Sequence, residues 1–112
     1  MNITITQQDK VTIVAVEEER LDANNSGELK SQMIDLLQSG QRNLLIDLKK
    51  VTFIDSSGIG ALVSGFKNAT AGGGKLFLCN LQQQVQSIFE LTRLNRVFDI
   101  FADRESVLQK LG

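Results

Sequence analysis

The sequence predicts an α/β fold, a small mixed sheet of about five strands covered by about four helices, in one domain spanning residues 1–112. Three observations carry this. Short apolar runs with strand character recur along the chain, Leu44–Leu48 and Lys75–Cys79 among them. Between them, apolar residues return at helical spacing. After an opening pair of strands the two patterns alternate, which is the order that right-handed crossovers turn into mutually parallel strands. A chain of 112 residues is long enough for one core and too short for two.

Ile3 and Ile5, then Val11, Ile13, Val14 and Val16, flank the polar Gln7-Gln8-Asp9-Lys10 and predict an antiparallel hairpin with one covered face. Glu17-Glu18-Glu19-Arg20 reads as a solvated acidic loop. Leu21-Asp22-Ala23-Asn24-Asn25 is a polar turn before the first helix, with Asn25 and Glu28 spaced as an approximate capping box. Leu29, Met33, Leu36 and Leu37 form the buried stripe of that helix, and Gly40 its stop. A strand at Leu44–Leu48 follows, and Phe53-Ile54 leads into a corner at Asp55-Ser56-Ser57-Gly58. Ile59, Leu62, Val63, Phe66 and Ala69 then mark a second helix, ended by Ala71-Gly72-Gly73-Gly74. Lys75–Cys79 is the next strand, Gln83–Leu91 a third helix with Val85, Ile88 and Phe89 inward, Leu94–Phe101 mostly a short final strand, and Glu105–Leu111 a last helix.

Composition excludes several function classes. A net charge of −1 without a basic patch gives no electrostatic case for nucleic acid. No apolar run approaches bilayer length and the N-terminus lacks a signal-peptide pattern, so the expectation is a cytoplasmic protein without a membrane partner. The single cysteine, Cys79, allows no intrachain disulfide and reads as a buried strand thiol. The chain has no histidine, which rules out Ser-His-Asp and Cys-His chemistry and removes the commonest general base and metal ligand. No metal site is expected. Proline is absent as well, so no rigid linker is marked.

Nucleotide motifs fail on spacing. Gly58-Ile59-Gly60 lacks the third glycine of a dinucleotide fingerprint, since Val63 stands there. Gly65 is followed by Phe66 before Lys67, and Asn68 replaces the Ser or Thr that a phosphate loop needs. Gly72-Gly73-Gly74-Lys75 runs from helix to strand, the reverse of a phosphate-cradling order. No cofactor is expected.

The corner at Asp55–Gly58 is the most informative stretch. It sets three side-chain oxygens where a helix begins, at the carboxyl end of a strand, where open α/β sheets place their sites. On bare chemistry these residues are good caps for the free N–H groups of a first turn. The same N–H groups and the helix dipole favour an anion, so a phosphate on a serine there would sit in a receptive field.

Ile54-Asp55-Ser56-Ser57-Gly58-Ile59-Gly60 after an apolar strand resembles the phosphorylation-site signature of the STAS-domain anti-sigma factor antagonists, and the order of elements is similar over nearly the whole chain. The resemblance implies the STAS fold and makes Ser56 the phosphoacceptor, with Ser57 a second acceptor or a cap. It implies that Asp55 caps or positions the site, and that Gly58, Ile59 and Gly60 keep the approach narrow for another protein's active site. The loop before the first helix, with Asp22 and Asn24, is implied as part of the partner surface. Asp22 matches the aspartate of a Gly-Glu-Leu-Asp segment, whereas Glu19 and Arg20 depart from its first two residues.

The implied function is that of an anti-sigma factor antagonist. Unphosphorylated, it captures an anti-sigma factor that is itself a serine kinase and holds its own ATP; phosphorylated, it lets go until a PP2C-type phosphatase resets it. The alternatives are a STAS subunit of another signalling or lipid-transport complex, and an enzyme using Asp55 and Ser56 on a small substrate.

Overall fold

A computed structural model describes residues 1–112. Its main sheet has five strands in the order β1 (Ile3–Gln8), β2 (Val11–Val16), β4 (Asn43–Asp47), β6 (Lys75–Cys79) and β7 (Asp99–Phe101). β1 is antiparallel to β2, with Ile3 opposite Val16, and every later neighbour is parallel. The helices α1 (Ser26–Gln38), α2 (Ser56–Ala71) and α3 (Gln83–Leu91) provide the crossovers, and α4 (Arg104–Leu111) ends the chain. The predicted mixed α/β sheet with four helices is therefore the observed architecture.

The strand pleat sorts the apolar side chains into two cores. Val14, Val16, Leu44, Ile46, Leu76 and Leu78 face α1, α2 and α3, meeting Leu29, Met33, Leu62, Val85 and Phe89. Val11, Ile13, Leu45, Phe77 and Cys79 face the other way and pack on Val107 of α4. Central strands covered on both sides carry apolar residues on both faces, which is why Leu44–Ile46 and Leu76–Cys79 read as unbroken runs. Phe98 stacks edge-on against Phe66 and Phe89, joining α2 and α3 beside β7. Asp47, only 4% exposed, closes the carboxyl end of β4 by accepting from Arg104 Nε (2.6 Å), the Lys49 amide and Asn80 Nδ2. Burial, reinforced by that carboxylate, pushes the Cys79 thiol up to about 12, so it stays protonated and unreactive at neutral pH.

Four local expectations change. The hairpin is unequal: all six residues of β2 are buried, whereas β1 is an edge strand and mostly exposed. Residues 17–20 are braced: Glu17 pairs with Lys50 Nζ at 3.2 Å, and the Glu18 carboxylate accepts from the Asn2 amide. The segment ends in a two-residue strand, β3 (Arg20–Leu21), parallel to β5 (Phe53–Ile54) in a separate small sheet, because Leu21 is fully buried and must carry its main chain inward with hydrogen bonds satisfied. The capping box does not form. Asn25 turns back to Asp22 and Arg20, and Glu28 accepts from the Met1 amine at 2.7 Å. Finally, Leu94–Phe101 is mostly not strand: Arg93 takes a left-handed conformation (φ 61°), Leu94–Arg96 is a 3₁₀ turn, and only Asp99–Phe101 pairs.

Candidate functional site

β5 delivers the chain to Asp55, whose extended backbone (φ −108°, ψ −174°) makes it the N-cap of α2. Its Oδ1 accepts from the Gly58 amide at 3.0 Å, and its carbonyl accepts from the Ile59 amide. The amides of Ser56 and Ser57, first in the helix, are therefore the donors of this turn without a helical acceptor. Both serines are exposed.

Asp55 also reaches across the site. Its Oδ2 accepts from the Ala23 amide at 3.3 Å, and its own amide donates to the Leu21 carbonyl, which fastens the corner to the turn before α1. That turn is built around Asp22, whose carboxylate accepts from the Asn24 amide (3.0 Å) and from Arg20 Nε (3.1 Å). Asn25 closes it, accepting from the Asp22 amide and donating to the Arg20 carbonyl. Ala23 and Asn24 are left at the surface. Ser56, Ser57, Ala23 and Asn24 thus belong to one rigid corner of the molecule.

The predicted site residues divide by orientation. Ser56, Ser57, Asn24 and Gly60 are exposed, and a Cβ on Gly60 would meet nothing within 4 Å. Asp22 turns inward at 9% exposure and shapes the turn instead of presenting its charge. Gly58 is also inward: a Cβ there would stand 2.5 Å from the Leu21 carbonyl oxygen and 2.8 Å from Ile54 Cγ1. It allows α2 to close on β3, so of the two glycines only Gly60 leaves the outer surface bare. Ile59 is half-buried against the larger core.

Sequence reasoning missed Arg20 and Phe53. The guanidinium lies 4.0 Å above the Phe53 ring centroid, and that ring is 40% exposed, so a cation and an aromatic face stand beside the corner. Two-residue strands carry no readable period, and only their pairing brings these side chains together.

Chemically, the corner offers a hydroxyl to a visitor. Both Asp55 carboxylate oxygens are occupied by amides, so it is not arranged as a general base for Ser56. One concavity lies away from the corner, between the C-terminal ends of α1 and α2, and the one that borders it is open and polar, lined by Glu18, Arg20, Asp22 and Asn24 among others. A surface of this kind suits a protein partner better than a small substrate.

The model of the STAS domain family matches residues 2–107. The anti-sigma-B factor antagonist of Bacillus subtilis (strain 168) is 31% identical over 109 residues, covering 97% of this chain and 98% of that protein. The structure of an anti-sigma-factor antagonist (STAS) domain protein from Planctomyces limnophilus superposes with a TM-score of 0.88 at 25% identity, covering 96% of each chain. The Bacillus cell fate determinant SpoIIAA in its phosphorylated form shares the fold, with a TM-score of 0.76 at 15% identity over 99% of this chain and 100% of that one. A family match along almost the whole chain and a relative spanned nearly end to end agree: the chain belongs to the STAS domain family.

Proposed function

We propose that this protein is an anti-sigma factor antagonist, acting as a single STAS unit over residues 1–112 and switched off by phosphorylation of Ser56. The observation that carries the proposal is an exposed serine at the first position of α2, directly after a capping aspartate that fixes the neighbouring turn. The name of the Bacillus subtilis relative and the phosphorylated state of SpoIIAA support the reading. In it, the protein works in the cytoplasm as substrate and binding module. It has no catalytic activity or cofactor of its own, and neither nucleic acid nor membrane is its partner.

The partner is an anti-sigma factor with serine kinase activity that binds the ATP. Docking places the Ser56 hydroxyl in that kinase's active site, with Ser57, Asn24, Ile59 and Gly60 around it and Asp22, Asp55 and Gly58 holding the surface in shape. Phosphorylation adds a charge of roughly −1.5 to −2 and three strong acceptors. The host helix tolerates it, because the Ser56 and Ser57 amides and the positive end of α2 face it. A partner surface fitted to a neutral hydroxyl does not, because burying an unpaired dianion costs several kcal/mol. Release then needs no refolding of the STAS domain, and a PP2C-type phosphatase restores binding.

Intact mass after incubation with host lysate and ATP tests the site. The expected result is one added phosphate on the wild type and none on Ser56→Ala. Equal phosphorylation of both proteins would refute Ser56 as the acceptor.

A further inference from the structure

β1 is an edge strand without the usual protections. Natural edges are kept from pairing by shortness, charge, proline or bulges. The opposite edge, β7, follows that rule with three residues, one of them Asp99. β1 has six residues, Ile-Thr-Ile-Thr-Gln-Gln, with no charge, no proline and an unbroken register to β2. Ile5 is 39% exposed on it.

The phase of its free groups is fixed by one bond. The Glu17 amide donates to the Asn2 carbonyl at 2.9 Å, in line with Ile3 opposite Val16. Antiparallel pairing alternates from there, so Thr4, Thr6 and Gln8 turn their main-chain groups toward β2, and Ile3, Ile5 and Gln7 turn theirs outward. We propose that β1 pairs antiparallel with β1 of a second copy about a two-fold axis through Ile5, joining the two sheets into one.

This register is self-complementary. Ile5 meets the partner's Ile5 as a hydrogen-bonded pair, and Ile3 meets the partner's Gln7, so every outward N–H in Ile3, Ile5 and Gln7 finds a carbonyl. Thr4 stands opposite the partner's Thr6 on the other face. The β-branched Ile3, Thr4, Ile5 and Thr6 favour cross-strand contact, and no charged side chain of either strand meets another. Pairing one strand buries little area, so the association is weak and concentration-dependent.

Sedimentation of the full chain across a dilution series, with two cysteine variants and one lysine variant, tests the proposal. In this register the Ile5 Cα atoms stand about 5.5 Å apart, inside the roughly 4.4–6.8 Å window for a disulfide. Thr4 and the partner's Thr4 are diagonal neighbours, about 7–8 Å apart. Wild type is expected to dimerise on concentration, Ile5→Cys to cross-link under mild oxidation, and Thr4→Cys to remain uncross-linked. Cys79 is buried and contributes no background. Ile5→Lys, at a partly exposed position, is expected to keep the wild-type thermal unfolding profile and to weaken dimerisation at least about tenfold, because like charges then meet at the axis. A wild type that stays monomeric, an Ile5→Lys protein that dimerises equally, or equal cross-linking of both cysteine variants would overturn it.

Discussion

At Gly58 the backbone of α2 approaches the Leu21 carbonyl so closely that a methyl group has no room, and the atom in the way is main chain, which cannot swing aside. Two residues further on, Gly60 faces open solvent. The pair makes an internal control. Gly58→Ala should cost roughly 1–3 kcal/mol from overpacking, whereas Gly60→Ala should be neutral or stabilising by up to about 1 kcal/mol, since alanine is the better helix former. Chemical denaturation of the two variants checks both. If they were equally stable, Gly58 would not be the contact that seats the corner. Asp55 acts at the same scale: one carboxylate caps α2 and fastens the 22–25 turn, so the hydroxyl of Ser56 stands on a surface held from two sides.

Among the elements, α4 alone covers the second face of the sheet through Val107. Its start depends on Asp103, which accepts from the Ser106 amide and hydroxyl; these bonds hold its carboxyl below the ordinary carboxylate value. A lowered folded value means that the cap contributes stability above the unfolded pKa and loses it as pH falls through the folded one. The stability difference between wild type and Asp103→Ala should therefore be full at neutral pH and narrow on acidification into that range, as read by denaturation at a series of pH values. A difference that stays constant with pH would exclude the carboxylate as the cap.

The elements also show what the sequence could and could not tell. β4, β6 and the apolar stripes of α1, α2 and α3 were legible, because burial on one or both faces imposes a period on the chain. The corner was legible because capping chemistry needs those residue types at that place. β3 and β5 were not, since two residues have no period and their pairing spans a long stretch of chain. The inward turn of Asp22 was hidden for the same reason: an aspartate in a polar turn looks exposed until Arg20 and the Asn24 amide are seen to hold it. Glu28 looked like half of a capping box, and only the fold brings the Met1 amine to it.

Across the whole molecule, the candidate surface and the open β1 edge are separate features. The serine corner is carried by the small β3–β5 sheet and the start of α2, whereas β1 terminates the main sheet. Self-pairing through β1 therefore leaves the Ser56 hydroxyl exposed, and the two proposals stand or fall independently. The central claim concerns charge at one atom on an otherwise unchanged fold. Its most direct test is the affinity of unphosphorylated and Ser56-phosphorylated protein for the cognate anti-sigma kinase, measured by titration on the same preparation. A loss of several kcal/mol in binding corresponds to a drop of at least about 100-fold, and that is the predicted result, with the far-ultraviolet circular dichroism unchanged. Equal affinity of the two forms would contradict the account.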